Sequence, residues 1–379
     1  MVLPPKPVHQ PLCIIDFLSF TWCPAEIEPL RRVAQSGRFV DPDSEEAKPV
    51  KTMSQFIKYR ESIGDPLDVG RLEYAALDEL KTFFWSVGSD LFANCEYSTA
   101  DMWEDHFQLI ERGHGLFGYR RSFDLVLDGH PIGVAAAGGV QASCYVSITG
   151  RGCRLLDMGR VSAVLRSLPM VNLTRADIAL DDFAGVTGFE HARSAYMAGN
   201  FVTRGKPPVC GEIRSGGVMV GDAIDYQGGS TFTVGTRSGG KLYRGYEKGK
   251  QQGDSASLWF RHEVELRSVN REIPLHVLTD PDRYFCGFYP YLAEVYQLIA
   301  SAQPVAEVIP TRRRDREALK RTAKAAYSSS VENLKRVGGG VINVMRQSAG
   351  LTDSEIINLL IRDAVPRSLS RVAVPGLVQ

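Results

Sequence analysis

The stretch Thr174-Arg175-Ala176-Asp177-Ile178-Ala179-Leu180-Asp181 decides the reading of this chain. Successive side chains of a β-strand point to opposite faces. One face then carries Arg175, Asp177, Ala179 and Asp181, and the other carries Ala176, Ile178 and Leu180. The apolar face can pack on a core. Carboxylates and a guanidinium on the other face are costly to bury unless they are paired, solvated or bound to metal.

Two stretches further along repeat the pattern. In Lys241-Leu242-Tyr243-Arg244-Gly245-Tyr246-Glu247-Lys248, the side chains of Arg244, Tyr246 and Lys248 share a face, with Leu242 as the imperfection. In Trp259 to Arg267, the side chains of Arg261, Glu263, Glu265 and Arg267 share one face, and Phe260, His262, Val264 and Leu266 share the other. Tyr243 and His262 are thus expected on the side away from the charges. A phenol with a cation two residues before and after it is stabilised as its phenolate, and the same cations can neutralise a phosphate. Side by side, the three strands would gather carboxylates, arginines and a tyrosine. Oxygen ligands suit Mg²⁺ or Mn²⁺. Phosphoryl transfer needs a cation, an oxygen nucleophile and positive side chains to absorb charge. The alternation equally describes an antiparallel sheet with one wet face, decorated by salt bridges such as Glu263 to Arg175. Periodicity leaves both readings open.

Outward from these strands the chain reads as α+β with antiparallel hairpins. Leu12–Phe20 is a first strand, and residues 24–60 look irregular and polar. Leu72–Trp85 has helical spacing, and Trp103–Ile110 could continue it. Phe123–Leu127, Gly133–Ala136 and Cys144–Thr149 are short strands, the first two joined by the turn signal Asp128-Gly129. Cys153–Met158 extends or follows the third. Val161–Leu168 and Gly188–Ala198 are helices, the second with Phe189, Ala192 and Tyr196 inward. Ser230–Thr236 and Leu242–Lys248 form a hairpin through Gly239-Gly240. Helical periodicity takes over after Pro274, at 290–300, 315–327, 331–345 and 353–365. The expected organisation is residues 1–110 as a first strand plus an insertion or accessory region, 111–273 as the core, and 274–379 as a mostly helical C-terminal region.

The 379 residues carry 44 basic and 44 acidic side chains, so net charge is formally zero. A neutral total does not exclude a nucleic-acid partner, because the local field matters. Residues 311–350 hold ten Lys/Arg against three Asp/Glu. The seven cysteines form no Cys-x-x-Cys pair, so neither a zinc site nor a redox motif is indicated. No His-hydrophobe-His triplet and no Walker A motif occurs, which argues against an ATP-driven helicase. No targeting or membrane segment is expected.

Taken in order, several pieces resemble a known family. They are Ile15-Asp16-Phe17-Leu18-Ser19-Phe20-Thr21, Gly138-Gly139-Val140 with the run Tyr145 to Cys153, and Arg175 to Asp182. Gly229 to Ser238, Tyr243 to Gly249 and Trp259 to Arg267 complete the series. The chain resembles the replication initiation factors of rolling-circle plasmids and filamentous phages, the trans-acting Rep family. The resemblance implies an antiparallel-sheet nickase core, distantly like the His-hydrophobe-His endonucleases but with carboxylates in the histidines' place. It implies Tyr246 as nucleophile, with Arg244, Lys248, Arg175 and Arg261 around the phosphate. Asp177 and Glu263 are the implied ligands of Mg²⁺ or Mn²⁺, with Asp181 and Glu265 as neighbours. Where the family has Asp after the nucleophile, this chain has Glu247, whose side chain points away from Tyr246 in a strand.

The implied reaction nicks origin DNA, single-stranded or extruded, through a 5′-phosphotyrosine link and later rejoins it. A host helicase and polymerase in a bacterial cytoplasm are the implied partners. Arg312, Arg313, Arg314, Arg316, Lys320, Arg321 and Lys324 are expected to add phosphate contacts. A non-enzymatic DNA-binding replication or packaging protein is the main rival. A glycosidase with Asp177 and Glu263 as its acid pair fits less well, because the cations around Tyr246 suit a phosphate better than a sugar. The dispersed Arg and His-x-x-Arg pattern of a tyrosine recombinase is missing.

Overall fold

Alternating apolar residues build one large sheet in the computed structural model, which describes residues 11–92, 106–139, 142–203, 205–220, 222–226, 228–269 and 271–302. The strands are β1 (Ile14–Trp22), β2 (Phe107–Glu111), β3 (Arg121–Leu127), β4 (His130–Ala137), β5 (Cys144–Ile148) and β6 (Asn172–Asp182). They continue with β7 (Cys210–Arg214), β8 (Gly217–Val220), β9 (Ala223–Tyr226), β10 (Ser230–Thr236), β11 (Lys241–Glu247) and β12 (Phe260–Arg267). Ten of them form a single sheet in the order β2-β3-β4-β5-β1-β6-β12-β11-β10-β7, and its neighbouring strands run antiparallel. β8 and β9 make a separate hairpin. The fold is therefore α+β on an antiparallel sheet, as the three alternating stretches predict. These are β6, β12 and β11, adjacent at the centre.

The expected turn at Asp128-Gly129 forms with positive φ at both residues, 51° and 72°, the backbone a tight two-residue hairpin requires. Helix Val69–Leu91 packs over β4 and β5 and against helix Met158–Ser167, joining Phe20, Trp22, Phe83 and Phe84 in an aromatic core. Helix Phe189–Met197 lies against β10 and β11, with Phe189 and Ala192 buried and Tyr196 packed on the core as expected. Helices Pro281–Cys286 and Pro290–Ala302 follow the sheet. The second places Tyr291 against Tyr243 and His262.

The structure departs from the sequence reading in four places. Residues 24–60 hold two helices, Glu28–Ala34 and Met53–Ser62. The second starts on a capping box: Gln55 N donates to Thr52 Oγ1 at 3.2 Å and Thr52 N to Gln55 Oε1 at 3.1 Å. These bonds satisfy donors that a helix start otherwise leaves open. Residues 107–110 belong to strand β2, not a helix, because sheet pairing with β3 overrides local propensity. After β5 the chain makes a helical turn at Gly150–Cys153 instead of extending the strand. The strands between Cys210 and Tyr226 have no counterpart in the sequence reading. The helices expected at 315–327, 331–345 and 353–365 lie outside the described residues.

Candidate active site

Register brings the charged faces together. Arg244 lies opposite Glu263 and Tyr246 opposite Arg261 across β11 and β12. Glu265 lies opposite Asp177 and Arg261 opposite Asp181 across β12 and β6. Directly opposed residues of an antiparallel pair point to the same side, so one face of three strands carries every predicted catalytic and metal-binding residue except Lys248. β11 ends at Glu247, and Lys248 instead opens a helical turn, Lys248–Gln251. Its Nζ sits 5.4 Å from the centre of the Tyr246 ring and donates to Gln251 Oε1 at 3.1 Å.

The four predicted carboxylates divide into two groups. Asp177, Glu263 and Glu265 are almost wholly buried, at 2%, 5% and 1% exposure. Over them lie arginines. Arg175 chelates Asp177, with Nε to Oδ1 at 2.8 Å, and lies 3.2 Å from Glu265. Arg244 pairs closely with Glu263 and lies 3.3 Å from Asp177 and 3.7 Å from Glu265. Arg267 also binds Glu265, and Arg237 does so at 3.2 Å. The salt bridge expected between Glu263 and Arg175 is thus replaced by Glu263–Arg244, which register sets opposite each other. Asp181 stands apart along β6. Arg261 grips it with two bonds of 2.7 Å, Trp259 Nε1 donates to it at 2.7 Å, and Arg261 reaches Asp16 at 2.8 Å.

Asp16, Trp259, Arg237 and Arg267 were not among the predicted site residues. Asp16 sits where the β1–β6 register shifts between Ile15 and Phe17. Such a bulge re-aims a side chain, and period-two counting cannot anticipate it. Arg237 lies just past β10 in the turn to β11, outside any strand alternation. Arg267 shares the charged face in the sequence reading, whereas Trp259 precedes the strand.

The electrostatics follow from burial. Burial pushes Asp177 up to about 7, against the pull of Arg175 and with the charges of Glu263 and Glu265 adding to it. Burial also opposes ionisation of Glu263, but Arg244 and hydrogen bonds from Tyr246, Asp177 and Arg244 outweigh it and hold Glu263 below the usual range. The two acids therefore form a pair that keeps a proton near neutrality, with Glu263 the ionised member. Tyr246 donates its hydroxyl to Glu263 Oε2 at 2.8 Å. Burial and the Glu263 charge raise the phenol well above its ordinary value. This reverses the expectation that flanking cations favour the phenolate: Arg244 is engaged by carboxylates, and burial lowers Lys248. The resting site holds a protonated tyrosine beside a carboxylate able to receive its proton.

Among the described residues no three or more His, Cys, Asp or Glu side chains are arranged to hold a metal ion. Asp177 and Glu263 carry the oxygen donors that Mg²⁺ takes, here engaged by Arg175 and Arg244. On the opposite face, Tyr243 is fully buried and its hydroxyl pairs with His262 Nδ1 at 2.9 Å. His262 Nε2 pairs with Thr187 Oγ1 at 2.9 Å, and burial lowers the imidazole to about 3. Glu247 accepts from Ser230 N at 2.8 Å, away from Tyr246. The basic residues from Arg312 to Lys324 lie outside the described residues.

One sheet face thus gathers a tyrosine, buried acids and overlying arginines. The model of the replication initiation factor family matches residues 171–361, just over half of the chain. The chain belongs to the replication initiation factor family. Among solved structures it is similar to the rolling circle replication initiator protein from Geobacillus stearothermophilus, at 18% identity and a TM-score of 0.44. That match covers 76% of this chain and 96% of the other. No curated protein matches the chain. Among the described residues no helix is long and apolar enough to cross a membrane.

Proposed function

We propose that this chain nicks and rejoins origin DNA, single-stranded or extruded, to initiate rolling-circle replication of a phage or plasmid. The observation that carries the reading is the 2.8 Å hydrogen bond from Tyr246 to Glu263 beneath the arginines. The Tyr246 oxygen attacks the scissile phosphorus while its proton passes to Glu263. The bond from phosphorus to the 3′ oxygen breaks, and the new 5′ phosphate stays joined to Tyr246. The 3′ oxygen leaves, takes a proton from solvent and primes a host polymerase behind a host helicase. Arg244 and Arg175, already aimed over the buried acids, absorb the phosphate's growing charge, and Arg261 stands opposite the nucleophile. Glu263 returns its proton to Tyr246 when the link is reversed. Asp177 and Glu263 would hold Mg²⁺ or Mn²⁺, which supplies Lewis-acid polarisation of a phosphate oxygen.

The setting of this activity is a bacterial cytoplasm, with the basic segment from Arg312 to Lys324 adding phosphate contacts. The test incubates full-length protein, supercoiled replicon DNA and a divalent metal, then digests with protease. The expected product is nicked DNA carrying a peptide linked through Tyr246, identified by mass spectrometry. Nicking with no adduct would make water the nucleophile. Binding without nicking would leave a non-enzymatic DNA-binding protein.

A further inference from the structure

The polar face does not end at Arg261 and Asp181. Trp259 immediately precedes β12, and Phe183 immediately follows β6. Trp259 stays on the charged face because its indole N–H bonds Asp181, and Phe183 lies against it. Their ring centres lie 5.1 Å apart, with the planes tilted by 37°. Phe183 is 58% exposed, and Leu258 beside it is 68% exposed. The indole is fixed from below: its N–H is held by Asp181 at 2.7 Å, and the Arg261 guanidinium lies 5.7 Å from the ring centre. Arg261, whose guanidinium neighbours the indole, is also the residue opposite Tyr246, so the aromatic pair adjoins the candidate nucleophile. Single exposed apolar side chains are ordinary, whereas a contiguous apolar patch marks a contact surface. Here the surface is continuous with a phosphate-binding face, and its tryptophan is held rigid by the site's own ion pair.

We infer that Phe183 and Trp259 form a stacking platform for an unpaired DNA base flanking the scissile phosphate. This rests on the DNA-cleaving reading of Tyr246 and adds how the strand is held. Every base offers a π-face, so such a platform grips single strands with little regard to sequence and does not grip a closed duplex. The arginines beyond Tyr246 hold phosphates, and the platform fixes the strand at the other end. Together they stretch the scissile linkage across the tyrosine.

The test compares two probes at fixed ionic strength: a twelve-nucleotide oligothymidylate and an abasic oligomer of the same length, which has the phosphates but no bases. Both are titrated by fluorescence anisotropy against full-length protein without divalent metal. The wild type should prefer the oligothymidylate. Phe183→Ser, at an exposed position, should weaken oligothymidylate binding by about five- to a hundredfold and leave abasic binding unchanged. Phe183→Tyr should retain the preference. Equal loss on both probes, or loss on neither, overturns the platform. So does a Phe183→Ser chain that changes oligomeric state in sedimentation while keeping its oligothymidylate affinity, because a protein surface would then cover the rings. A wild type that links DNA through a tyrosine yet prefers neither probe overturns the platform alone. A chain that prefers oligothymidylate but never links DNA overturns the nucleophile and leaves the platform standing.

Discussion

Tyr243 and Tyr246 sit three residues apart on one strand, on opposite faces of one sheet, and they have become different chemical objects. Tyr243 has no solvent exposure, and its hydroxyl meets a neutral histidine. Tyr246 meets Glu263, an ionised carboxylate under an arginine. Burial raises both phenols above the ordinary value, so acidity alone does not separate them. The partner does. His262, held near 3 by burial, has no tendency to take a proton there, and Tyr243 has no access to a substrate. Glu263 can take one, on a face bordered by cations. What separates the two phenols is the group each hydroxyl bonds, an ionised carboxylate against a neutral imidazole, rather than a depressed acidity at rest.

The largest expected effect sets the two tyrosines against each other. Tyr246→Phe removes only the hydroxyl and should reduce nicking of supercoiled DNA by more than about a thousandfold, with no covalent adduct and unchanged DNA affinity. A trapped peptide carrying its nucleotide on Tyr243 would invert the comparison entirely. Next comes the partner. Glu263→Gln keeps the shape and a hydrogen bond to Tyr246 but cannot accept its proton. Single-turnover cleavage should slow by about 10²- to 10⁴-fold. A loss under tenfold would mean that the proton leaves by another route.

Asp177 gives a finer effect with a definite sign. Its carboxyl, raised to about 7, is protonated below that pH and ionised above it. A divalent metal must displace that proton to bind, so metal binding weakens as pH falls. The half-saturating Mg²⁺ or Mn²⁺ concentration for nicking should be roughly five times higher at pH 6 than at pH 7, and should level off above pH 8. Asp177→Asn should weaken metal dependence and flatten this profile. A metal requirement independent of pH in the wild type would remove Asp177 from the metal's shell.

Much of this site is legible in the sequence, for a simple physical reason. Period-two alternation survives in β6, β11 and β12 because each buries one face against helices and lines the site with the other. Arg175, Asp177, Glu263, Arg244 and Tyr246 could therefore be placed on one surface by counting alone. Counting fails where the strand is irregular or has ended. Asp16 arrives through a bulge, Arg237 through a turn, and Lys248 leaves the strand for a helical turn. Nor could counting reveal that Arg244 is taken up by Glu263, because which ion pairs form depends on register between strands distant in sequence. The helix Met53–Ser62 leaves one mark in the sequence, its Thr52-x-x-Gln55 cap, amid a polar composition that masks it.

The smallest expected effect on catalysis belongs to the other face. Tyr243→Phe leaves the ring in its aromatic setting of Phe201, Tyr291 and His262 but strands His262 Nδ1 without its partner. An orphaned buried polar group costs about 1–3 kcal/mol, so the urea midpoint should fall while nicking below the transition stays within about twofold of wild type. His262 adds its own pH signature. Its folded value near 3 lies below the ordinary 6.5. The unfolded chain therefore binds a proton that the folded chain refuses between those values. Through this residue, stability should drop as pH falls below 6.5, by about 1.4 kcal/mol per pH unit, and the drop should end near pH 3. Urea melts of wild type and His262→Gln at pH 7, 6 and 5 isolate that slope as the difference between them. A folded Tyr243→Phe chain that had lost nicking would show that the buried face acts on the reaction, and the two tyrosines would then have to be explained as one device.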